Sequence, residues 1–377
     1  MSWDYKTLEQ MGSISRGRSR HRPRNDARLF GGSYPFIQTA DVKEANFYLT
    51  KFSQTYNEMG LKQSKLWDKG TLCITIAANI ADTAILDISA CFPDSIMGFN
   101  AYYGIANTNF VKYSFDILQK KCRQISQGTA QDNLSWEKLA TIKFPCPSIN
   151  VQNRIVDVLS CYDNLIENYQ KQIKLLEEAA QRIYKEWFVD FHFPGYEDVK
   201  VVDGVPEGWK NTNINRMMTF HRGYDLTHSQ MKEGIFPVVG STSIIGYHNA
   251  YKIIAPGIIT GRSGSLGKYQ FVWENFWPHN TTLYISDMKG HDIIYLYCML
   301  NTVNFSTLNN GGAIPTLNRN TLSNITVVEP TNDLQEKFSK IGKPIFEKIR
   351  TLSLQIRLLT EARDRLLPKL MSGEIEV

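Results

Sequence analysis

From Ile155 to Trp187 the apolar positions fall at alternating steps of four and three: Ile155, Leu159, Tyr162, Ile166, Tyr169, Ile173, Leu176, Ala180, Ile183 and Trp187. This is the 3.5-residue spacing of a coiled-coil seam, and it predicts one long amphipathic helix. A shift of 183 residues carries the same register onto Phe338, Gly342, Ile345, Ile349, Leu352, Ile356, Leu359, Arg363, Leu366 and Leu370, of which eight are apolar. The shift also superposes Leu134 on Leu317, Leu139 on Leu322, Ile142 on Ile325, Pro147 on Pro330 and Gln152 on Gln335. Seam and flanking punctuation repeat together, which indicates an internal duplication: globule, long helix, globule, long helix.

Each predicted helix covers about 33 residues, or roughly 50 Å at the α-helical rise. A solitary helix with such a stripe would leave it in water, so each needs a mate. The simplest arrangement packs the two antiparallel about a pseudo-two-fold axis. The alternative is a pair of ordinary core helices within one larger domain. A heptad sustained beyond three repeats weighs against it.

The globules show short β-like runs bounded by Gly, Asn and Asp. At their start the offset is 206: Trp3 matches Trp209, Met11 matches Met217, and Arg16-Gly17 matches Arg222-Gly223. YPFIQTADV aligns with FPVVGSTSII on Pro35 and Pro237. Each globule ends in a proline-punctuated run, WEKLATIKFPCPS and LNRNTLSNITVVEPT. Ser148 or Asn150 is then placed to cap the first long helix, and Thr331, Asn332 or Asp333 the second. The expected fold class is α+β: two mixed β/α domains separated by two long helices packed as an antiparallel coiled coil. The expected segments are 1–150 for the first domain, 151–190 for the first helix, 191–333 for linker and second domain, 334–372 for the second helix, and 373–377 for a tail.

A hydrophobic share of 42% in 377 residues is ample for folded cores. The net charge of +5 is modest, but residues 1–150 hold 18 basic against 13 acidic side chains, while residues 151–198 hold 5 against 9. The positive excess therefore sits in the first globule. The acidic residues of the first helix (Asp157, Asp163, Glu167, Glu177, Glu178, Glu186) are expected to face away from its seam. Cys73, Cys91, Cys122, Cys146, Cys161 and Cys298 show no C-x-x-C spacing, which favours reduced thiols in the cytoplasm over a metal site or disulfide ladder. No signal sequence or membrane-spanning run is evident, so no membrane partner is expected.

The densest charge is SRGRSRHRPRNDAR, residues 15–28, with Arg16, Arg18, Arg20, Arg22, Arg24 and Arg28 opposed only by Asp26. Gly17 and Pro23 favour an extended loop, in which alternate guanidinium groups share a side. Guanidinium forks bond phosphate oxygens and the O6/N7 edge of guanine, so the run points to nucleic acid. A solvated basic loop is the plainer reading. In the second globule the candidates are Arg222 and Tyr224 in FHRGYDL, and Arg262, Ser263, Ser265 and Lys268 in TGRSGSLGKY. Ser241, Thr242 and His248 are nearby donors, and Gln131 completes the DNA-binding candidates. Each of these taken singly is better read as an ordinary loop residue.

Catalytic templates fail. GRSGSLGKY imitates a P-loop, but Arg262 replaces the first glycine and Tyr269 the hydroxyl that reaches Mg²⁺. No H-E-x-x-H, G-x-S-x-G, helix-opening G-x-G-x-x-G or [ND]-P-P-[YF] motif occurs, and the seven histidines are scattered. No catalytic residue, metal or bound cofactor is expected. The chain reads as a binder.

GTAQDNLSWEKLATIKFPCPSINVQNRIVDVL (residues 128–159) and GGAIPTLNRNTLSNITVVEPTNDLQEKFSKI (residues 311–341), together with the ending LLPKLMSGEIEV, resemble the repeated junctions and terminus of specificity (S) subunits of type I restriction–modification enzymes. The resemblance covers the whole chain, strongly at junctions and helices and weakly inside the globules. It implies two target recognition domains, each reading one half of a split double-stranded DNA target, with the helix pair setting the spacer. It further implies two methyltransferase (M) subunits gripping the helices and restriction–translocase (R) subunits joining them. S-adenosylmethionine would then belong to M and ATP to R. A coiled-coil scaffold that never touches nucleic acid is the competing reading, and the arginine run discriminates between them.

Overall fold

The structure, a computed structural model, describes residues 3–77, 81–126, 136–262, 267–303 and 325–377. Leu134, Leu317, Leu322 and residues 311–324 of the second junction phrase lie outside the described residues. The two long helices run Ile149–Phe188 and Asn332–Ser372. No helix among the described residues is long and apolar enough to cross a membrane.

Both long helices start the same way. The Ser148 carbonyl accepts the N–H groups of Val151 and Gln152 at 3.0 Å, and the Thr331 carbonyl accepts those of Leu334 and Gln335 at 3.1 and 3.2 Å. Ser148 and Thr331 are thus the residues at which each helix begins. Gln152 and Gln335 are buried in the first turn and reach back. Gln152 Nε2 donates to the Pro147 carbonyl at 2.8 Å, and Gln335 Nε2 to the Pro330 carbonyl at 3.2 Å. The free end of each amide then ties the helix to its globule. Gln152 Oε1 accepts the Asn107 N–H at 2.9 Å, and Gln335 Oε1 meets His291 Nδ1 at 3.1 Å. A buried amide needs all its polar atoms matched, which fixes the helix entry angle.

The chain forms two compact units, Met1–Glu167 with Ile356–Val377, and Asn168–Gln355. This division differs from the segments expected from sequence because each unit takes its core from both long helices. In the first unit, Ile155, Val156 and Leu159 of one helix and Leu367, Leu370 and Met371 of the other are buried in a single cluster with Leu8, Met11, Phe99 and Phe110. In the second, Ala180, Tyr184, Trp187 and Phe188 join Leu334, Phe338 and Phe346 around Trp209, Tyr295 and Leu296. Within each unit the early part of one helix therefore packs beside the late part of the other, which is antiparallel pairing.

The globular parts share a plan. In the first unit a sheet has strand order Gly12–Arg16, Ile96–Ala101, Leu72–Thr75, Thr83–Leu86, Tyr48–Leu49. In the second the order is Thr219–Arg222, Thr282–Asp287, Gly257–Gly261, Tyr269–Val272. A smaller sheet in each contains one parallel step, Phe36 beside Cys91 and Val238 beside Trp277. A two-stranded ribbon closes each globule onto its helix, Asp4–Lys6 with Phe144–Cys146 and Lys210–Asn213 with Thr326–Glu329. Gly17 and Gly223 occupy matched close approaches. A Cβ on Gly17 would sit 2.4 Å from the carbonyl oxygens of Phe92 and Pro93, and one on Gly223 2.0 Å from that of His279.

Both departures from the second seam have a physical cause. At Gly342 a Cβ would lie 2.9 Å from Ile294 Cγ2, so the missing side chain admits a helix of the globule. Arg363 Nη1 donates to Asp163 Oδ1 at 2.6 Å, and Tyr113 OH donates to Asp163 Oδ2 at 2.5 Å. Asp163 is therefore buried between helix and globule, a correction to the expectation that it faces solvent. Its heptad position does not reveal this, because its partner is 200 residues away.

Removing the cation should be costly, since the carboxylate stays buried. Arg363→Met is expected to destabilise the first unit by about 3 kcal/mol, read as a lower urea midpoint; an unchanged midpoint would contradict the pairing. Gly17→Ala and Gly223→Ala should each cost about 1–3 kcal/mol through overpacking. Native-state proteolysis should localise the damage to the unit carrying the change, and equal protection of both units would contradict it.

Candidate nucleic-acid interface

The arginine run leaves the sheet at Arg16 and stays extended between two flanks. On one side Gly17 N–H donates to the Ile96 carbonyl at 2.8 Å and Arg18 N–H to the Phe92 carbonyl at 3.0 Å. On the other, Ser64 Oγ donates to the Arg18 carbonyl at 2.8 Å, and Gln63 Oε1 accepts the N–H groups of Arg20 and His21 at 2.7 and 3.0 Å. Gly17 and Ser19 face inward and are buried; Arg16, Arg18 and Arg20 face outward and are exposed. The period of two in an extended chain thus sends three guanidinium groups out along one edge. None of the three makes a hydrogen bond or ion pair to the described residues.

The remaining arginines are tied down. Arg22 Nη1 turns back onto the Ser19 and His21 carbonyls at 2.7 and 2.9 Å. Arg24 pairs with Asp94 at 2.8 Å and Arg28 with Asp26 at 2.7 Å. Asp26 is thus not the sole opposing acid, because Asp94 arrives from a distant loop. Hydrogen bonds from the Arg28 side chain, the Arg28 backbone and His21 hold the Asp26 carboxyl far below the usual carboxylate range. Cationic repulsion along the run is relieved in its second half and left standing in its first.

In the second unit, residues 278–282 gather the candidates. Tyr224 N–H donates to the Pro278 carbonyl at 2.8 Å, Gly223 N–H to that of Thr282 at 3.1 Å, and Arg262 N–H to that of Thr281 at 3.0 Å. Arg262 Nη1 also donates to the Asn280 carbonyl at 3.2 Å. Arg222 is exposed, and Asp225 couples it, at 3.4 Å, to the Asn280 side chain. Tyr224 OH shares a hydrogen bond with Tyr284 OH at 2.9 Å, and its ring packs against those of His221, Trp277 and Tyr284. Gln270 Nε2 donates to the Gly240 and Ser241 carbonyls, both at 3.2 Å, and so fixes the turn that exposes Thr242. The next strand begins beside exposed Lys268, whose carbonyl accepts from Thr260 Oγ1 at 3.0 Å. Arg222, Tyr224 and Arg262 are thus brought together, while Ser241, Thr242 and Lys268 sit around Gln270.

His248 is corrected: it is buried, its Nδ1 accepts the Lys232 N–H at 3.0 Å, and its ring meets Trp277 edge-on. Gln131, Ser263 and Ser265 lie outside the described residues. Sequence reasoning missed Lys252, whose ammonium sits 4.9 Å from the Trp277 ring and 5.4 Å from that of Tyr224. Aromatics next to a lysine distant in sequence give no local signal.

The description "Type I restriction modification DNA specificity domain" matches this chain over residues 1–178 and 206–360. The MjaIX type I restriction enzyme specificity subunit of Methanocaldococcus jannaschii is 25% identical, covering 100% of this chain and 94% of that protein. The EcoprrI specificity subunit of Escherichia coli is 21% identical over 85% of this chain and 84% of its own length. Among solved structures, the type I restriction–modification S subunit from M. genitalium has the same fold at a TM-score of 0.57 and 18% identity, covering 98% of this chain and 96% of that one. Two matched domains, each built on the same sheet plan and each followed by a long helix, account for the internal repeat. This chain belongs to the type I restriction–modification DNA specificity family, and it is a specificity subunit with two target recognition domains.

Proposed function

We propose that the outward edge of Arg16, Arg18 and Arg20 contacts one half of a bipartite DNA target, and that Arg222, Tyr224, Arg262, Thr242 and Lys268 contact the other. The observation that carries this reading is the alternation of buried Gly17 and Ser19 with three exposed, unpaired arginines. Three like charges held along one edge favour an anion between them, and phosphate contacts orient a protein while base contacts select sequence. Arg22, Arg24 and Arg28, in contrast, shape the loop. This chain is non-catalytic in this reading; S-adenosylmethionine serves a methyltransferase subunit and ATP a restriction–translocase subunit.

We further infer that two methyltransferase subunits dock on the long helices, whose continuous length of about 60 Å sets the spacer between half-sites. Exposed Leu165 and Leu358 in the first unit, and Leu175 and Leu354 in the second, supply apolar surface on those helices.

Arg18→Ala and Arg20→Ala, in the chain assembled with its methyltransferase subunits, should each weaken target binding by about 1–3 kcal/mol if they touch bases. Competition with singly mismatched duplexes should confine the loss to one half-site, and unaltered affinity would contradict the assignment. Deleting one heptad from each long helix should change the spacer or abolish recognition, as mapped by methylated bases. An unchanged spacer would refute the ruler.

A further inference from the structure

The arginine edge is held by a neighbouring turn that no motif identifies. Gln63 ends the short helix Glu58–Gln63, and Ser64 and Lys65 lead into the strand Leu66–Trp67. Gln63 uses one oxygen to accept two successive N–H groups, those of Arg20 and His21, while Ser64 Oγ grips the Arg18 carbonyl. Backbone groups of Arg18, Arg20 and His21 are thus fixed by two adjacent side chains. Tyr56, fully buried, lies against Ser19 and Gln63 from beneath, and burial raises its ionisation above the usual phenol range. On the outer side Lys65 Nζ stands 3.5 Å from the centre of the Trp67 indole. Trp67 is itself buried and stacked on Phe92 at 4.9 Å, the residue whose carbonyl receives Arg18 N–H. The indole face therefore holds the Lys65 ammonium; partial burial lowers its pKa, and the charge of nearby Arg18 adds to this while Asp68 opposes it.

Resting on the assignment of this edge to DNA, we infer that Lys65 is a further phosphate-binding cation of the first recognition domain, and that Gln63 is a positioning residue for Arg18 and Arg20. An ammonium parked on a rigid ring next to an unpaired guanidinium is pre-ordered to bridge a phosphate, because the aromatic platform removes the freedom of its four-carbon stem. Lysine here is a point charge with no fork to read a base edge, so its contribution is uniform across sequences. Gln63 acts through the backbone, and its loss changes where the arginines point without changing how many charges meet the duplex.

The test is a salt titration of duplex binding by the full chain in complex with its methyltransferase subunits. The probes are one duplex carrying the mapped target and one carrying a mismatch in the first half-site, with a third, mismatched in the second half-site, as the folding control. Lys65→Met keeps the stem on the indole; it should lower affinity for both duplexes by the same factor and reduce the slope of log affinity against log salt by about 0.9. Gln63→Ala should leave that slope unchanged and shrink the discrimination between the two duplexes several-fold, with discrimination at the second half-site retained as the sign of a folded complex. A Lys65→Met complex with unaltered slope, or a Gln63→Ala complex with unaltered discrimination, overturns the respective assignment. Arg18→Ala is measured in parallel. If it too has no effect, the DNA reading of the edge has failed; if it weakens binding while Lys65→Met does not, only the present inference has.

Discussion

A forty-residue helix with an apolar stripe cannot stand alone in water, and the rest of this molecule is arranged around covering two of them. The covering is shared. Part of each stripe is buried by the other helix, and part by the globule that precedes or follows it, so that Ile155 and Leu370 enter one core and Trp187 and Phe338 another. This explains why the compact units do not coincide with contiguous stretches of chain. It also explains why the seam tolerates Gly342 and Arg363. At those positions the neighbour is a globule helix in one case and a buried carboxylate in the other.

The junction glutamines show how a repeated sequence becomes a repeated device. A short polar side chain in the first helical turn accepts from or meets the globule and donates to the prolyl carbonyl just before the helix. The globule's orientation on its helix thus rests on these buried hydrogen bonds together with the closing ribbon and the shared apolar core. The recognition loops can diverge freely above that base, as the weak internal likeness of the two globules shows.

Long-period features were legible in the sequence: both helices, the duplication, and the matched Arg-Gly pairs at Gly17 and Gly223, whereas the start of each helix was narrowed only to Ser148 or Asn150 and to Thr331, Asn332 or Asp333. These depend on spacing and on local backbone chemistry, which a single chain displays. The alternation of the arginine run was also legible, since an extended segment has a fixed period of two. What escaped depended on tertiary approach. Asp163 belongs to the helix face by its number and to the core by its partner. His248 looks like a surface donor and is a buried acceptor. Asp94, Gln63 and Lys65 meet the arginine run across 42 to 70 residues of separation, and the feature that assembles them is the sheet.

Native-state hydrogen exchange on the full chain tests the central claim most directly, because it reports which backbone segments open together. The account predicts that amides in 149–167 and 356–372 share one opening free energy, distinct from that shared by 168–188 and 332–355. Each long helix opening end to end as a single unit, with no change of protection near its middle, would contradict it.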